Sequence, residues 1–228
     1  MPVFGLVTEG GTDQAIIKNV VNGLALRVLG DEVDWSVAQP EVAAGKQVGK
    51  GGWEQLFEFL GNRDLITDAL LRANCLIVHV DSDCAEHKNF GVKLHLNGVG
   101  RPTFDIIQDI VSLLISKVHP EVYAQFADRF LFAVAVHSIE CWLLPLFGKK
   151  RSFANEQKCE RKVAVELISQ KRGDRYVERR DKKLIKKYNL FLELSEPYYE
   201  DVDVRTISHL NESLEIFVAN ASLKLLAL

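Results

Sequence analysis

Leu76-Ile77-Val78-His79-Val80-Asp81-Ser82-Asp83 is an apolar run of strand type that stops at two carboxylates one residue apart. A second stretch, Val3-Phe4-Gly5-Leu6-Val7-Thr8-Glu9-Gly10-Gly11-Thr12-Asp13, repeats the pattern: apolar strand, carboxylate, two glycines, helix start. In open α/β sheets, ligands sit beyond the carboxyl ends of the strands. Three acidic side chains at two such ends, Glu9, Asp81 and Asp83, predict a site of oxygen ligands for Mg²⁺ or Mn²⁺. Asp81 and Asp83, at i and i+2, share a face if the backbone stays extended. Glu9 joins them only if the two strands are neighbours.

Working outward, Ile16, Ile17, Val20, Val21, Leu24 and Val28 keep helical spacing to about Gly30. Residues 33–39 are a weaker strand candidate. The loop 43–52 holds four glycines with Lys46 and Lys50. Glycine-rich backbone opening a helix can hold phosphate, or it can be a flexible surface loop. It is not a Walker A loop, because its spacing is too short and no Ser or Thr follows Lys50. A helix is expected over roughly 53–71, a strand over 74–81, a polar mobile segment over 84–102 and a helix over 103–117. A short helix from Pro120 to Arg129 and a buried strand over 130–136 follow. That strand runs into Ser138 and Glu140, so a fourth carboxylate lies just past a strand end. Beyond 149 the spacing predicts helices over 156–170, 176–188 and 205–226, with a break at Pro197. The expected architecture is α/β, a Rossmann-like, mostly parallel sheet of about four strands flanked by helices. Residues 1–148 would form the core, and the helical, partly basic region 149–228 would pack on it.

The chain of 228 residues carries a net charge of −3. The charge is unevenly spread: residues 149–187 hold 15 Lys and Arg against 6 Asp and Glu. Such a stretch, with Arg179, Arg180, Lys182 and Lys183 at its densest, fits either a polyanion-binding surface or a solvated helix face. No apolar run approaches the roughly 20 residues that span a bilayer, and no signal pattern opens the chain, so the expectation is a cytoplasmic protein without a membrane partner. Cys75, Cys84, Cys141 and Cys159 show no paired short spacing; a zinc site is not expected, and reduced thiols are.

Each acidic residue has a plainer use. Asp81-Ser82-Asp83 can end a turn, Asp13 suits a helix cap, and Glu140 suits either a first helical turn or a ligand. Glu9 is harder to explain as a cap, since capping favours shorter side chains. His79, inside the strand, reads as a satisfied core histidine. His137, at a strand end, can donate a proton or touch a substrate.

The order strand–Glu9-Gly10-x-x-Asp13, then strand–Asp81-x-Asp83, resembles the Toprim fold of topoisomerases, bacterial primases, recombination-repair proteins and OLD-family nucleases. Ser138-Ile139-Glu140-Cys141-Trp142-Leu143-Leu144 and the glycine-lysine loop at 45–52 look like segments of small OLD-like Toprim proteins linked to phage defence. The resemblance covers about residues 3–147. It implies a Mg²⁺-dependent endonuclease acting on DNA or RNA, with Glu9 as metal-linked or acid/base glutamate and Asp81 and Asp83 as Mg²⁺ ligands. Asp13 and Glu140 would serve a second metal. Lys46, Lys50, Arg179, Arg180, Lys182 and Lys183 would hold the nucleic-acid backbone. OLD nucleases carry an ATPase domain and this chain has no Walker A loop, so ATP-driven control would need a partner ATPase or other regulatory protein; a homo-oligomer is compatible with the sequence. Two other functions fit the same residues. One is a non-catalytic or partner-activated nucleic-acid-binding module. The other is a DxD-type phosphatase or phosphotransferase with Asp81 as nucleophile, although that chemistry usually places its DxD after the first strand.

Overall fold

The computed structural model describes residues 1–43, 45–148 and 157–228. Ala44 of the glycine loop, the first part of the basic stretch (149–156), the expected helix start at 156 and the expected domain boundary after 148 lie outside the described residues.

The two apolar runs are strands β1 (Val3–Val7) and β5 (Cys75–Asp81), and they are hydrogen-bonded neighbours. Helix α1 (Gly11–Val28) follows β1, and strand β2 (Asp34–Gln39) pairs with β1 on its other side. Next come hairpin β3 (Glu41–Ala43) and β4 (Lys46–Val48), then helices α2 (Trp53–Gly61) and α3 (Arg63–Leu71). After β5 come hairpin β6 (His95–Leu96) and β7 (Val99–Gly100), and helices α4 (Thr103–Lys117) and α5 (Pro120–Phe126). Strand β8 (Phe130–Ala135) closes a four-stranded, all-parallel sheet of order β2-β1-β5-β8. A 3₁₀ turn over Ile139–Leu143 and helices α6 (Leu144–Phe147), α7 (Cys159–Ser169) and α8 (Gly173–Tyr176) lead to hairpin β9 (Val177–Glu178) and β10 (Lys183–Leu184). Helices α9 (Tyr188–Tyr199), α10 (Val204–Ile207) and α11 (Glu212–Leu226) end the chain.

Alternation along the strands puts one hydrophobic cluster on each face of the sheet. Phe4, Leu6, Ile77, Leu131 and Ala133 meet α1, α7, α9 and α11. Leu76, Val78, Val80 and Val134 meet helices α2 to α5. The C-terminal third therefore shares the main core. Its tightest contact is α9 against α1, where a Cβ on Gly23 would lie 2.0 Å from the Tyr198 carbonyl oxygen. Asn19 Nδ2 donates to the Leu192 carbonyl and to Ser195 Oγ, both at 2.8 Å, along the same seam.

Five local expectations are corrected. Residues 53–71 form two helices, because the Asn62 side chain accepts the backbone N–H groups of Asp64 and Leu65 and starts α3 afresh. The glycine-lysine loop is largely hairpin β3–β4. The polar segment after Asp83 is packed: Ala85, Phe90, Val92 and Leu94 are buried, and Asn97 and Gly98 take positive φ at the β6–β7 turn. The expected helix over 176–188 is replaced by hairpin β9–β10 over 177–184, in which Val177 and Leu184 pair and are both buried. Two apolar residues seven apart satisfy such a pair as well as they satisfy one helix face. Pro197 lies inside α9, costing it one backbone hydrogen bond near its end.

Among the cysteines, Cys141 and Cys159 form a disulfide, against the expectation of four reduced thiols, while Cys75 and Cys84 are free. Among the described residues, no helix is long and apolar enough to cross a membrane.

Candidate functional site

Because β1 and β5 are adjacent and parallel, Glu9 and Asp81 emerge side by side at the carboxyl edge of the sheet. Glu9 Oε1 accepts the backbone N–H of Asp81 at 2.8 Å. The Trp53 N–H at the start of α2 also points to this carboxylate. The glycine loop makes that approach feasible: Gly52 N–H donates to the Glu9 carbonyl at 2.8 Å, and a Cβ on Gly51 would sit 2.3 Å from the same oxygen. These glycines serve close packing on Glu9. Lys46 and Lys50 are exposed on this flap, which Gln47 pins over α1 by accepting the Gly11 N–H at 3.1 Å.

Asp13 takes the expected role at the helix start and lies beside the other carboxylates. Its Oδ2 accepts the Gly10 N–H at 2.7 Å, closing the N-terminus of α1, and the side chain is buried against the site. The third strand end comes in through Asp81, whose Oδ1 accepts the Ile139 N–H at 2.8 Å. That contact seats the 3₁₀ turn carrying Glu140, which is 3% exposed. Trp142, in the same turn, stacks on Phe217 and donates from Nε1 to Ser213 Oγ at 2.9 Å. Tyr198 OH donates to the Trp142 carbonyl. Helices α9 and α11 thus hold the Glu140 turn, and emptying the Trp142 position would cost roughly 3–5 kcal/mol.

Asp83 differs from the expectation. The strand ends at Asp81 and the chain turns at Ser82, so Asp83 is exposed and does not share an extended face with Asp81. It still acts on the cluster by charge.

The carboxylates act on one another by charge. Burial, then the charges of Asp13 and Asp83, push Glu9 from 4.5 up to about 8, against the pull of the Asp81 and Trp53 amides. Burial and Glu140 push Asp13 from 3.8 up to about 7. Burial, with Asp13, Glu140, Glu9 and Asp83 around it, drives Asp81 well above the usual carboxylate range. Burial and Glu140 also raise Asp83. Such crowding of like charge is relieved by protons or by a cation.

One protein cation is present that the sequence did not single out. The ammonium of Lys186, just after β10, contacts Glu140 Oε1. Burial draws this ammonium down, but Glu140, Glu160 and Asp81 outweigh it and hold its pKa above the usual lysine value. Lys186 was hidden among fourteen other basic residues of the 149–187 stretch. His79 was expected to be satisfied and is not. It is fully buried, and neither ring nitrogen has a hydrogen-bond partner. Its Nδ1 stands 3.7 Å from Asp13 Oδ2 and its Nε2 3.5 Å from Asp81 Oδ1. Burial holds the ring neutral down to about 3, so these are approaches of a neutral imidazole and not ion pairs.

The donor chemistry, all carboxylate oxygen around a buried, unpaired imidazole, fits a hard divalent cation. The arrangement is not a finished cage: among the described residues no group of three or more His, Cys, Asp or Glu side chains stands ready to hold a metal ion. Four of the five carboxylates are engaged internally, Glu9 by Asp81, Asp13 by Gly10, Asp81 by Ile139 and Glu140 by Lys186.

The basic residues sort into two kinds. Arg179 is paired with Asp174, its Nε donating to Oδ1 at 2.6 Å. Arg180, Lys182 and Lys183 are exposed at the tip and outgoing strand of hairpin β9–β10. Since Lys186 lies only six residues beyond Arg180, the hairpin tip stands within roughly 20 Å of chain from the acidic cluster. No family model, curated protein or solved structure matches the chain.

Proposed function

We propose that the chain is a Toprim-like, Mg²⁺- or Mn²⁺-dependent nuclease that hydrolyses phosphodiester bonds of DNA or RNA, an activity suited to a phage-defence effector. The observation that carries this reading is the meeting of Glu9, Asp13, Asp81, Asp83 and Glu140 from three strand ends at one edge of a parallel sheet. Proteins do not normally bury several like charges together without a counter-ion. Glu9, Asp81 and Asp83 would hold the metal, with Asp13 and Glu140 available to a second ion. Bound there, a divalent cation would polarise the phosphate and lower the pKa of an attacking water. Lys186 would orient the Glu140 carboxylate through one N–H and offer another to a phosphate oxygen. Arg180, Lys182 and Lys183 would track the backbone of the chain entering the site. Asp83, the most solvent-open of the five, is the natural entry point for a hydrated ion.

The test is Mg²⁺- and Mn²⁺-dependent cleavage of plasmid, single-stranded DNA, tRNA and total RNA, beside Asp81→Asn. Cleavage that disappears in the variant supports the nuclease; cleavage unchanged in it sinks the site assignment.

A partner-activated form of the same module is favoured by one observation, the engagement of each of those four carboxylates by an internal donor. In that reading a partner, such as an ATPase, releases Lys186 from Glu140. Metal binding without cleavage, lost in Asp81→Asn, would select it.

A further inference from the structure

Glu140 is tethered in a closed ring. The next residue, Cys141, is joined by the disulfide to Cys159, the first residue of α7. The residue after that, Glu160, accepts the backbone N–H of Leu184 at 3.1 Å through Oε1. Two residues past Leu184, Lys186 returns to Glu140. Glu160 also acts on Lys186 by charge. The ring thus runs Glu140, Cys141, Cys159, Glu160, Leu184, Lys186 and back. Glu140 and Lys186 lie more than forty residues apart in the chain, and the ring adds a covalent brace to the packing that already seats the Glu140 turn on α9 and α11. The sulphur bridge is the one covalent side-chain link in it. Both cysteines are buried, at 0% and 2% exposure.

We propose that the Cys141–Cys159 bridge is a positioning element of the acidic site, and that thiol–disulfide exchange at this bridge sets the affinity of the site for the divalent cation that Glu140 would serve. The inference rests on the metal-site reading above. The exchange is balanced with a small dithiol as reductant. One thiolate of the dithiol attacks a bridge sulphur, the S–S bond breaks, and a mixed disulfide forms while the other cysteine leaves as a thiolate and takes a proton. The second thiol of the reductant then displaces the first, freeing the remaining cysteine. Two electrons and two protons pass to Cys141 and Cys159, and the dithiol leaves as its cyclic disulfide. Because both sulphurs are buried, exchange proceeds through local opening around α7, which places it on a slower scale than metal binding. Once reduced, the Glu140 turn is still seated by the Asp81–Ile139 contact and by Trp142, so the fold survives while the pairing of Glu140 with Lys186 loses its brace. Groups that orient a metal ligand are worth about 10–100-fold in affinity.

The experiment compares the full chain oxidised with glutathione disulfide and reduced with dithiothreitol, the thiol state of each being read by alkylation and mass spectrometry. Mg²⁺ affinity is measured by calorimetry, and hydrogen–deuterium exchange is followed over 138–144 and 183–187. The oxidised protein should bind Mg²⁺ about 10–100-fold more tightly, and reduction should speed exchange in both segments together. Cys141→Ser/Cys159→Ser should match the reduced protein and ignore dithiothreitol. Glu160→Ala should weaken Mg²⁺ binding in the oxidised protein, and Glu160→Gln, which keeps the acceptor for Leu184, should restore it. Equal affinity and equal exchange in the two redox states would overturn the proposal, as would failure of the two cysteines to pair under oxidant. Absence of Mg²⁺ binding in both states would defeat the metal reading and the affinity claim with it. Coupled loss of protection would then still establish the ring, and unchanged protection would remove it.

Discussion

Replacing Glu9 by Gln should make the metal-free protein more stable at alkaline pH, and the sign can be worked from its surroundings. The Glu9 carboxyl goes from an ordinary 4.5 to about 8 in the fold, because burial and the neighbouring Asp13 and Asp83 disfavour its charge. Between those two values the folded protein holds a proton that the unfolded chain has lost. Stability therefore falls as pH rises from about 4.5 to about 8, at roughly 1.4 kcal/mol per pH unit for each such proton, and levels off above. For Glu9 alone the full loss is at most about 5 kcal/mol. Asp13, going from 3.8 to about 7, adds to the same slope over a slightly lower window. Gln keeps the oxygen that accepts the Asp81 N–H and carries no charge. Glu9→Gln should match the wild type near pH 4.5 and exceed it by roughly 2–4 kcal/mol at pH 8.5. The assay is urea unfolding followed by far-ultraviolet circular dichroism in EDTA, at constant ionic strength, from pH 4.5 to 8.5. At pH 8 and in millimolar Mg²⁺ the wild type should regain stability and Glu9→Gln should not. A wild-type stability flat across this range, or an identical slope in the variant, would refute the reasoning.

Lys186→Met leaves Glu140 buried without its cation and should destabilise the protein by about 2 kcal/mol at neutral pH; adding Glu140→Gln should recover part of this, as urea midpoints would reveal. Replacing Arg180, Lys182 and Lys183 together by Ser should weaken nucleic-acid binding and flatten its salt dependence, measured by fluorescence anisotropy between 50 and 200 mM salt. Arg179→Ser should do less, because Asp174 already neutralises Arg179; an equal effect would contradict the proposed track. Gly23→Ala drives a methyl into the Tyr198 carbonyl, forces α1 from α9 and should cost about 1–3 kcal/mol, visible as a lowered melting temperature.

Much of the arrangement was written locally. The apolar runs ending in Glu9 and in Asp81 needed no long-range contact to be read as strands, since a buried parallel strand is a continuous apolar run. The helical faces of α1 and α4 were equally plain, because their apolar spacing is repeated over several turns. Two further local signals mark finer features. Asn97-Gly98 is a strong hairpin dipeptide and marks the β6–β7 turn. Asn62 is a helix start in the middle of what reads as one helix. By contrast, nothing in the spacing of Val177 and Leu184 chooses between a hairpin and a helix face.

The sequence by itself determined which residues end the strands, and so which carboxylates could meet. The tertiary structure alone decided that they do. Strand order β2-β1-β5-β8 is a choice among sheet topologies that leaves every local pattern unchanged, yet it sets Glu9 against Asp81 and brings the Glu140 turn to Asp81. The same holds for Lys186, the unpaired ring of His79 and the Cys141–Cys159 bridge. Each depends on groups tens of residues apart, whose encounter is fixed by how the two faces of the sheet are packed. Periodicity records which side of an element is buried; it holds no record of what that side is buried against.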